Sequence, residues 1–435
     1  MNQFTAWILN VVYIVVLLLL SPVILFRAFV YGKYRQGLKQ KFFGLVPEQP
    51  KLDSPRKRIW FHAVSVGEIN VLRPLLEMIR TERPNWECVV STTSLTGMRL
   101  AEKLYANHHS VFYCPLDFSW ATNAAMRRIK PDMLVLVEQE IWPNLFYAAK
   151  KHGAKLALIN ARFGESGYRR YKTFRFFFGP ILKMLDIVAV QSETYAGWYH
   201  SVGTPGAVIE ITGSMKFDGA QSNRNNPKTQ TLGELAGLKS SDIVFLAGST
   251  QAPEESYALD IFETLKNDWP NLKLILVPRH PERFESVAQM LTSRNAVWCR
   301  RTELKPETKT DCRLILIDCV GELGAWWGTA QIAFVGGSMG SRGGQNMIEP
   351  AAYGAAVSFG PNTKNFRDIV EMLLRENAAV IVRDQTEMQQ FVRNCLENPG
   401  YAKDLGNRAR DLVAKQIGAT RQTLTLLERL LKSLK

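Results

Sequence analysis

The sequence predicts an α/β protein in which two doubly wound domains follow an N-terminal membrane anchor. The chain has 435 residues, which exceeds the roughly 250–300 residues that one hydrophobic core supports, and 46% of them are hydrophobic. Short apolar runs alternate with amphipathic segments on both sides of a polar stretch, which is typical of βαβ units and parallel sheets. A long apolar segment precedes the first of these runs.

The N-terminal segment is apolar over about 20 residues, from Trp7 to Phe26, which is enough to cross a hydrocarbon core of about 30 Å. No basic residue precedes it, which argues against a signal peptide. The basic residues that follow it are Arg27, Lys33, Arg35, Lys39 and Lys41. The positive-inside rule therefore places the rest of the chain in the cytoplasm. Pro22 leaves a second interpretation open, a helix that lies along the membrane surface.

Four segments are expected along the chain. They are an anchor with a basic juxtamembrane stretch (1–45), a first Rossmann-like domain (46–218), a linker (219–231) and a second Rossmann-like domain with C-terminal helices (232–435). Strands are predicted at Arg58–Ala63, Cys88–Thr92, Met133–Val137, Leu156–Asn160, Ile187–Val190, Val208–Ile211, Ile243–Ala247, Leu272–Val277, Leu314–Ile317 and Ile332–Val335. Ligands of such sheets bind beyond the carboxyl ends of the strands, so the turns that follow strands are the places to search.

The net charge of +14 indicates an anionic partner, which could be nucleic acid, anionic lipid or a phosphorylated substrate. No recognisable nucleic-acid-binding module accompanies this charge, so nucleic acid is not expected. The six cysteines contain no C-x-x-C pair, which gives little support to a disulfide framework or zinc site and favours a reducing compartment. Without an Asp-x-Asp or His-rich cluster, neither a metal nor a cofactor is expected.

Acidic residues follow two of the predicted strands in the first domain. Glu68 lies at a helix start after Gly67, where it could stabilise the helix N-terminus by about 0.3–1 kcal/mol or act as a general base that the helix keeps ionised. Glu138 and Glu140 end another strand, where paired acids could cap the next helix or serve a site. Lys216 follows the last strand before the linker and is either a solvated lysine or a cation at that site.

In the second domain, Pro278 and Arg279 end a strand, and an arginine there can pair bidentately with phosphate or carboxylate. The turn Gly336-Gly337-Ser338 could present backbone N–H groups to a phosphate. Glu349, three residues after Asn346, could accept the hydroxyls of a ribose. The spacing matches neither the dinucleotide fingerprint nor the P-loop.

Basic and aromatic residues alternate between Arg162 and Lys183. This composition suits a membrane surface or a phosphorylated lipid, and it also suits an amphipathic core helix with a solvated basic face.

Taken together, the motifs resemble the bacterial 3-deoxy-D-manno-octulosonic acid (Kdo) transferases of lipid A and lipopolysaccharide biosynthesis, over essentially the whole chain. The matching motifs are His62–Glu68, Glu138–Asn144, Asn160–Arg162, Thr212–Asp218, Gly248–Thr250, Pro278–Arg283, Gly321–Leu323, Val335–Ser338 and Arg342–Pro350. The resemblance implies the GT-B fold, with the active site in an interdomain cleft. It also implies transfer of Kdo from CMP-Kdo to the tetraacyl lipid A precursor, an anionic disaccharide bisphosphate, with inversion and at the cytoplasmic face of the inner membrane.

The resemblance also assigns roles to residues. Glu68 matches the proton acceptor of the family, and Glu138 and Lys216 match positions that stabilise the transition state. The positions expected to bind CMP, together with those of the glycine-rich turn, are Pro278, Arg279, Val320, Gly321, Glu322, Gly337, Ser338, Asn346, Met347, Ile348 and Glu349.

The chain departs from the family pattern at a few positions. Gly164–Gly167 replaces a usual Ser-x-Arg-Ser, Gln139 stands where Thr is common, and Gln251 and Gln345 each replace a usual His. These changes bear on the acceptor and on the number of sugars added. Two alternatives stay open at this stage: a GT-B transferase or epimerase that uses a UDP-sugar, and a non-catalytic, membrane-tethered nucleotide-binding protein.

Overall fold

The computed structural model describes residues 3–31, 35–51, 56–305 and 312–432, so Lys33 and the end of the loop before the first strand lie outside the described residues. The chain forms two compact units, one made of Met1–Gly219 with Ile417–Lys435 and the other of Ala220–Gln416. Each unit contains a parallel seven-stranded sheet with helices between successive strands, which is the predicted fold class.

The sheet of the first unit has the strand order β3-β2-β1-β4-β5-β6-β7. Its strands are β1 (Lys57–His62), β2 (Trp86–Thr92), β3 (Ser110–Tyr113), β4 (Met133–Val137), β5 (Lys155–Ala161), β6 (Ile187–Val190) and β7 (Ile209–Ile211). The order reverses between β1 and β4, and the carboxyl ends at such a switch point are where doubly wound sheets bind ligands.

Helices cover this sheet and explain why its central strands are apolar along their whole length. The helices of the first unit before the linker are α1 (Gln3–Tyr31), α2 (Leu38–Phe43), α3 (Val66–Glu82), α4 (Leu95–Tyr105), α5 (Ser119–Ile129), α6 (Pro143–Lys151), α7 (Glu165–Thr173), α8 (Arg175–Leu182) and α9 (Glu193–Ser201). All five residues of β4 are buried, so this strand lies at the centre of the core.

The sheet of the second unit has the order β10-β11-β9-β8-β12-β13-β14. Its strands are β8 (Ile243–Thr250), β9 (Leu272–Pro278), β10 (Cys299–Arg300), β11 (Leu314–Leu316), β12 (Ile332–Val335), β13 (Ala356–Phe359) and β14 (Val380–Ile381). Its helices are α10 (Pro227–Leu235), α11 (Glu254–Leu265), α12 (Phe284–Ser293), α13 (Leu323–Trp326), α14 (Ile348–Ala352), α15 (Arg367–Arg375), α16 (Gln385–Glu397) and α17 (Pro399–Gln416).

The last helix, α18 (Ala419–Lys432), returns to the first unit. The predicted second domain (232–435) differs from this division, because α18 packs on the core of the first unit. Leu424 and Leu427 are buried in the cluster that contains Ile59 and Phe61 of β1. The carboxylate of Asp218 accepts hydrogen bonds from the backbone N–H groups of Gly418 and Thr420 and so fixes the start of α18.

The N-terminal region belongs to the first unit more closely than the predicted boundary at residue 46 implied. Gln40 of the short helix α2 accepts a hydrogen bond from Tyr113 N–H at 2.8 Å. A side chain at Gly44 would collide with the carbonyl of Ala121, so glycine lets α2 approach α5 closely. Helix α1 is long and apolar enough to cross a membrane over Thr5–Val30, by length and composition.

A disulfide joins Cys299 to Cys312 in the second unit, although the sequence lends little support to a disulfide framework. Cys299 lies in β10 and Cys312 just before β11, and these neighbouring strands bring the two residues together. The cysteine spacing in the sequence carries no signal of that pairing.

Truncating Leu427, which is fully buried, tests the attachment of α18 to the first unit. We expect Leu427→Ala to lower the free energy of unfolding of this unit by about 2–5 kcal/mol, because a buried leucine is lost and a cavity remains. Urea unfolding of the detergent-solubilised protein measures the change. Gln422→Ala, at an exposed position of the same helix, is the matched control and should change stability by less than about 0.5 kcal/mol. Equal effects in the two variants would contradict the packing of α18.

Candidate functional site

Glu68 lies in the first turn of α3 beyond the carboxyl end of β1, and only 7% of it is exposed. Ser65 caps this helix: its hydroxyl donates to Glu68 Oε1 at 2.8 Å and accepts from Glu68 N–H at 3.3 Å. Val64 N–H donates to Glu68 Oε2 at 2.8 Å. These contacts form a variant of the capping box. The capping interpretation is therefore realised, and it holds the carboxylate in one orientation.

Burial is the largest influence on the protonation of Glu68. The pKa of this carboxyl is raised to about 7, first by burial and then by the charges of Glu140 and Glu138, against the hydrogen bonds from Val64 and Ser65 that lower it. The expectation that the helix N-terminus alone keeps Glu68 ionised is thus incomplete. A carboxyl with this pKa is divided between its neutral and ionised forms near neutral pH.

Glu138 and Lys216, which come from distant parts of the sequence, form an ion pair with Nζ and Oε1 2.8 Å apart. Arg162 Nε lies 2.9 Å from the other carboxylate oxygen of Glu138. Glu138 has a φ of +60°, an unfavourable angle for a residue with a side chain. The structure thus brings together both predicted residues and adds Arg162, and Glu138 orients two cations beside the end of β4.

Asn160 supports this group from the end of β5. Its side-chain oxygen accepts the N–H of Met215 at 3.0 Å, which fixes the residue next to Lys216. Asn160 is fully buried, and its own φ is +50°. The strained backbone and the buried amide show that this edge of the sheet is held in a specific conformation.

Two departures from the family pattern contact each other. A Cβ atom on Gly167 would lie 2.7 Å from Nε2 of Gln139, so the two residues are close neighbours. Neither departure removes a residue of the Glu68 or Glu138 clusters.

The basic and aromatic stretch folds as α7 and α8. It has features of both interpretations, a surface suited to a membrane or phosphorylated lipid and an amphipathic helix packed on the core. Tyr168, Tyr171, Phe177 and Phe178 pack against the core of the first unit. The basic and aromatic residues that this stretch leaves exposed are Arg169, Arg170, Lys172, Phe174, Arg175, Phe176 and Lys183. Its aromatic inner face is therefore structural, and its outer face combines positive charge with exposed rings.

In the second unit, Glu349 and Asn346 form the pair predicted from their spacing. Asn346 Nδ2 donates to Glu349 Oε1 at 3.0 Å, and Asn346 Oδ1 accepts Ile348 N–H at 3.1 Å. Burial raises the pKa of Glu349, against the hydrogen bond from Asn346 and the nearby charge of Arg279, which lower it. Arg279 is exposed directly after buried Pro278, so its guanidinium is accessible to a ligand. The side chains of Met347 and Ile348 are buried in the core.

The glycine-rich turn does not hold its N–H groups free for a phosphate, and this prediction for Gly337 and Ser338 is wrong. The carboxylate of Glu254 accepts the N–H groups of Gly337, Ser338 and Met339 at 2.7–2.9 Å. Ser338 is fully buried, and its hydroxyl donates to the carbonyl of Val335 at 2.6 Å.

Glu254 itself is a residue that the sequence reasoning missed. It is 1% exposed and lies in the first turn of α11. A Cβ atom on Gly336 would lie 2.7 Å from its carboxylate, so a glycine at 336 allows this close approach. An acid in the first turn of a helix is a common surface feature, and nothing local in the sequence distinguishes this buried one.

The turn Val320–Glu322 is partly engaged within the second unit. Arg301 binds both carboxylate oxygens of Glu322, each at 2.8 Å. Val320 is exposed, and Gly321 adopts a φ of +96° that favours glycine. Glu322 therefore shapes the turn through Arg301, while the backbone at Val320 and Gly321 is presented outward. Over the described ranges, no group of three or more His, Cys, Asp or Glu side chains could hold a metal ion.

Comparison with known proteins agrees with this architecture. The model of the 3-deoxy-D-manno-octulosonic-acid transferase (kdotransferase) family matches residues 36–219. A 3-deoxy-D-manno-octulosonic acid transferase of Haemophilus influenzae is 29% identical over 401 residues, covering 91% of this chain and 92% of the relative. A transferase of the same description from Chlamydophila psittaci is 30% identical, covering 87% of this chain and 86% of the relative.

Among solved structures, UDP-GlcNAc 2-epimerase from Neisseria meningitidis aligns with a TM-score of 0.60 at 12% identity, covering 86% of this chain and all of the epimerase (100%). This likeness shows the fold alone, which is GT-B. The sequence relatives define the class within that fold, a glycosyltransferase. The chain belongs to the Kdo transferase family of lipopolysaccharide biosynthesis.

Replacing Glu254 tests whether a buried carboxylate holds the glycine-rich turn. We expect Glu254→Gln to lower the stability of the second unit by about 1–3 kcal/mol, because the amide offers one acceptor oxygen and places a donor against N–H groups. Glu371→Gln, at an exposed position of the same unit, is the control. Thermal unfolding of both variants provides the measurement. An unchanged transition in Glu254→Gln would show that the turn forms without the charge.

Proposed function

We propose that this protein transfers Kdo from CMP-Kdo to a hydroxyl of the tetraacyl lipid A precursor, with inversion and with Glu68 as the general base. The observation that carries the proposal is the Glu68 carboxylate, fixed by Ser65 and Val64 at the switch point and with its pKa raised to about 7. A base is most effective when its pKa lies near the working pH. Membership of the Kdo transferase family supplies the sugar that is transferred.

In the proposed reaction, the acceptor hydroxyl loses its proton to the ionised carboxylate of Glu68. The hydroxyl oxygen forms a bond to the anomeric carbon of Kdo as the bond from that carbon to the phosphate oxygen of CMP breaks. The phosphate leaves with the electron pair, and the attack from the opposite side inverts the anomeric centre. Hydrogen bonds from Ser65 and Val64 leave each carboxylate oxygen with a second lone pair for the proton.

Lys216 and Arg162 are the cations proposed to stabilise the negative charge that develops in the transition state. Preorganised charges are effective because they need no rearrangement during the reaction. Glu138 holds both of them, so in this account Glu138 is a positioning residue that acts through the two cations. Arg162 extends the set expected from the sequence.

In the second unit, Arg279 is proposed to pair with the phosphate of CMP, and Glu349 to accept hydroxyls of the ribose while Asn346 orients its carboxylate. The exposed backbone at Val320 and Gly321 offers contacts to the remainder of the nucleotide. Gly337 and Ser338 are not proposed to contact the phosphate, because Glu254 accepts their N–H groups.

We further propose that the protein works at the cytoplasmic face of the inner membrane. The apolar helix α1 and the exposed basic and aromatic face of α7 and α8 support this location. A surface of this composition attracts anionic lipids and inserts rings at the interface.

The experiment that tests the function is incubation of the purified full-length chain with CMP-Kdo and the tetraacyl precursor, followed by mass measurement of the lipid product. We expect the mass of the acceptor to increase by one or more Kdo residues, and the count gives the number transferred. Because cationic side chains are proposed to stabilise the leaving phosphate, the reaction should proceed in chelator. Transfer from a UDP-sugar only would contradict the proposal, and dependence on added magnesium would contradict its metal-free chemistry.

The variant Glu68→Gln keeps the shape of the side chain and removes its basicity. We expect turnover to fall by about 10²–10⁴-fold, which is the usual contribution of general-base assistance. CMP binding should stay the same, because the proposed nucleotide contacts lie in the second unit. Steady-state rates and CMP titration measure the two quantities. Near-normal turnover would leave Glu68 as a helix cap and direct the search for a base to Glu140.

The variant Glu349→Ala should weaken CMP binding by about 10–100-fold, because hydrogen bonds to a charged group contribute roughly 1.5–3 kcal/mol. Equilibrium titration with CMP measures the effect. Arg375→Ala, at an exposed position of the same unit, serves as the control. If both variants bind CMP as the parent protein does, the ribose contact must be elsewhere.

A further inference from the structure

A cavity of about 500 Å³ lies in the first unit between helix α1 and the turn that joins β4 to α6. Its apolar walls include Val16, Leu17, Phe118, Ile141, Trp142 and Tyr171. Its volume falls within the range of about 300–1,000 Å³ that is typical of small-molecule sites. We propose that this cavity binds one acyl chain of the lipid acceptor, an inference that rests on the proposed function.

Helix α1 is a fixed wall of this cavity because polar contacts dock it onto the first unit. Asn10 Nδ2 donates to Ser119 Oγ at 2.7 Å, and Asn10 Oδ1 accepts the N–H of Ser119 at 2.9 Å. One turn further along, the hydroxyl of Tyr13 donates to Asp117 Oδ2 at 3.0 Å. Asn10 is itself buried. A helix whose only function was to anchor the chain would not need these polar contacts.

Asp117 joins this wall to the opposite one. It is 6% exposed, and its carboxylate also accepts the N–H groups of Asn144 and Leu145 at the start of α6, at 3.1 and 2.8 Å. The same carboxylate thus holds α1 and the beginning of α6, and the distance between the two walls is determined by the fold.

The other faces of α1 are apolar and exposed. Leu18 is 66% exposed and Leu19 is 74% exposed, directly beside Leu17 on the cavity wall. The helix that lines the cavity therefore docks by one face and leaves apolar faces exposed, which fits the interpretation of a helix that lies along the membrane surface. An acyl chain that leaves a bilayer along α1 would move from the apolar interior of the bilayer to the apolar wall of the cavity.

Part of the cavity lining lies near Glu68, and this proximity indicates which lipid the cavity binds. Glu140 and Trp142 line the cavity, and Trp142 Nε1 donates to Glu140 Oε2 at 2.7 Å. The ring of Trp142 packs edge-on against His62 at 5.8 Å between centroids, at the end of β1. Glu140 is also close enough for its charge to act on Glu68. An acyl chain here would place its sugar beside the proposed base, which suits the acceptor and serves no purpose for a bulk phospholipid.

The test fills the cavity with Leu17→Trp and uses Leu18→Trp, on the exposed side of the same helix, as the matched control. Both full-length variants are assayed with the tetraacyl precursor and with the same disaccharide bisphosphate stripped of its acyl chains. For Leu17→Trp we expect KM for the tetraacyl precursor to rise about tenfold or more, because each excluded methylene lowers affinity about fourfold. The KM for the deacylated acceptor should not change, and Leu18→Trp should match the parent with both.

Equal losses with both acceptors in Leu17→Trp, or no loss with either, would overturn the proposal. A binding experiment without CMP-Kdo tests the acyl site separately from the proposed function. The tetraacyl precursor carries a diazirine at the end of one acyl chain, and the protein is held in phospholipid nanodiscs. Irradiation should attach the probe within residues 13–17 or 139–143, and less so in Leu17→Trp.

Labelling there without any Kdo transfer would sustain the acyl site and refute the transferase proposal. Kdo transfer with no labelling of either segment would support the transferase proposal and refute the acyl site. The same labelling can be done with a phospholipid that carries a diazirine. If this phospholipid labels the same residues and excess precursor does not displace it, the cavity holds bulk lipid, and the inference would be overturned.

Discussion

Glu68, Glu138 and Glu140 come together near the carboxyl ends of β1 and β4. The arrangement of side chains around them depends on how their charge is accommodated in a mostly buried site. A buried carboxylate is costly unless cations or hydrogen bonds compensate it. Glu138 is compensated by Lys216 and Arg162, and Glu68 by Ser65 and Val64. The first arrangement positions two cations beside Glu138. The second offsets only part of the effect of burial, so the pKa of Glu68 is raised to about 7.

The second unit meets the same constraint with backbone groups. Glu254 collects the N–H groups of the turn after β12, where a phosphate-binding protein would leave them for its ligand. Gly336 is needed there because any side chain would collide with Glu254. The carboxylate of Glu254 therefore holds this turn. In the proposed function, the nucleotide contacts come instead from Arg279, Glu349 and the exposed turn at Val320.

Much of the fold could be predicted because buried parallel strands are apolar throughout: β4 and β12 have the predicted bounds. β3 (Ser110–Tyr113) and β13 (Ala356–Phe359) were missed because each is a four-residue strand with a serine. The amphipathic pattern of α18 predicts a helix, but not which of two cores it covers. For the candidate site, turns after strands and the family resemblance point to Glu68, Glu138 and Glu349. Glu254 and Asp117 were beyond reach, because their partners are distant in sequence and local patterns do not record burial.

We propose that burial and neighbouring charges set Glu68 to act as a base near neutral pH. The pH dependence of kcat/KM in the parent protein and in Glu140→Gln is the measurement that tests this proposal. Glu68 must be deprotonated to accept a proton, so the rate should rise with pH through an apparent pKa of about 7. Removing the charge of Glu140, which raises the pKa of Glu68, should move this rise to lower pH. A rise near the ordinary glutamate value of about 4.3, or at the same pH in both proteins, would contradict the account.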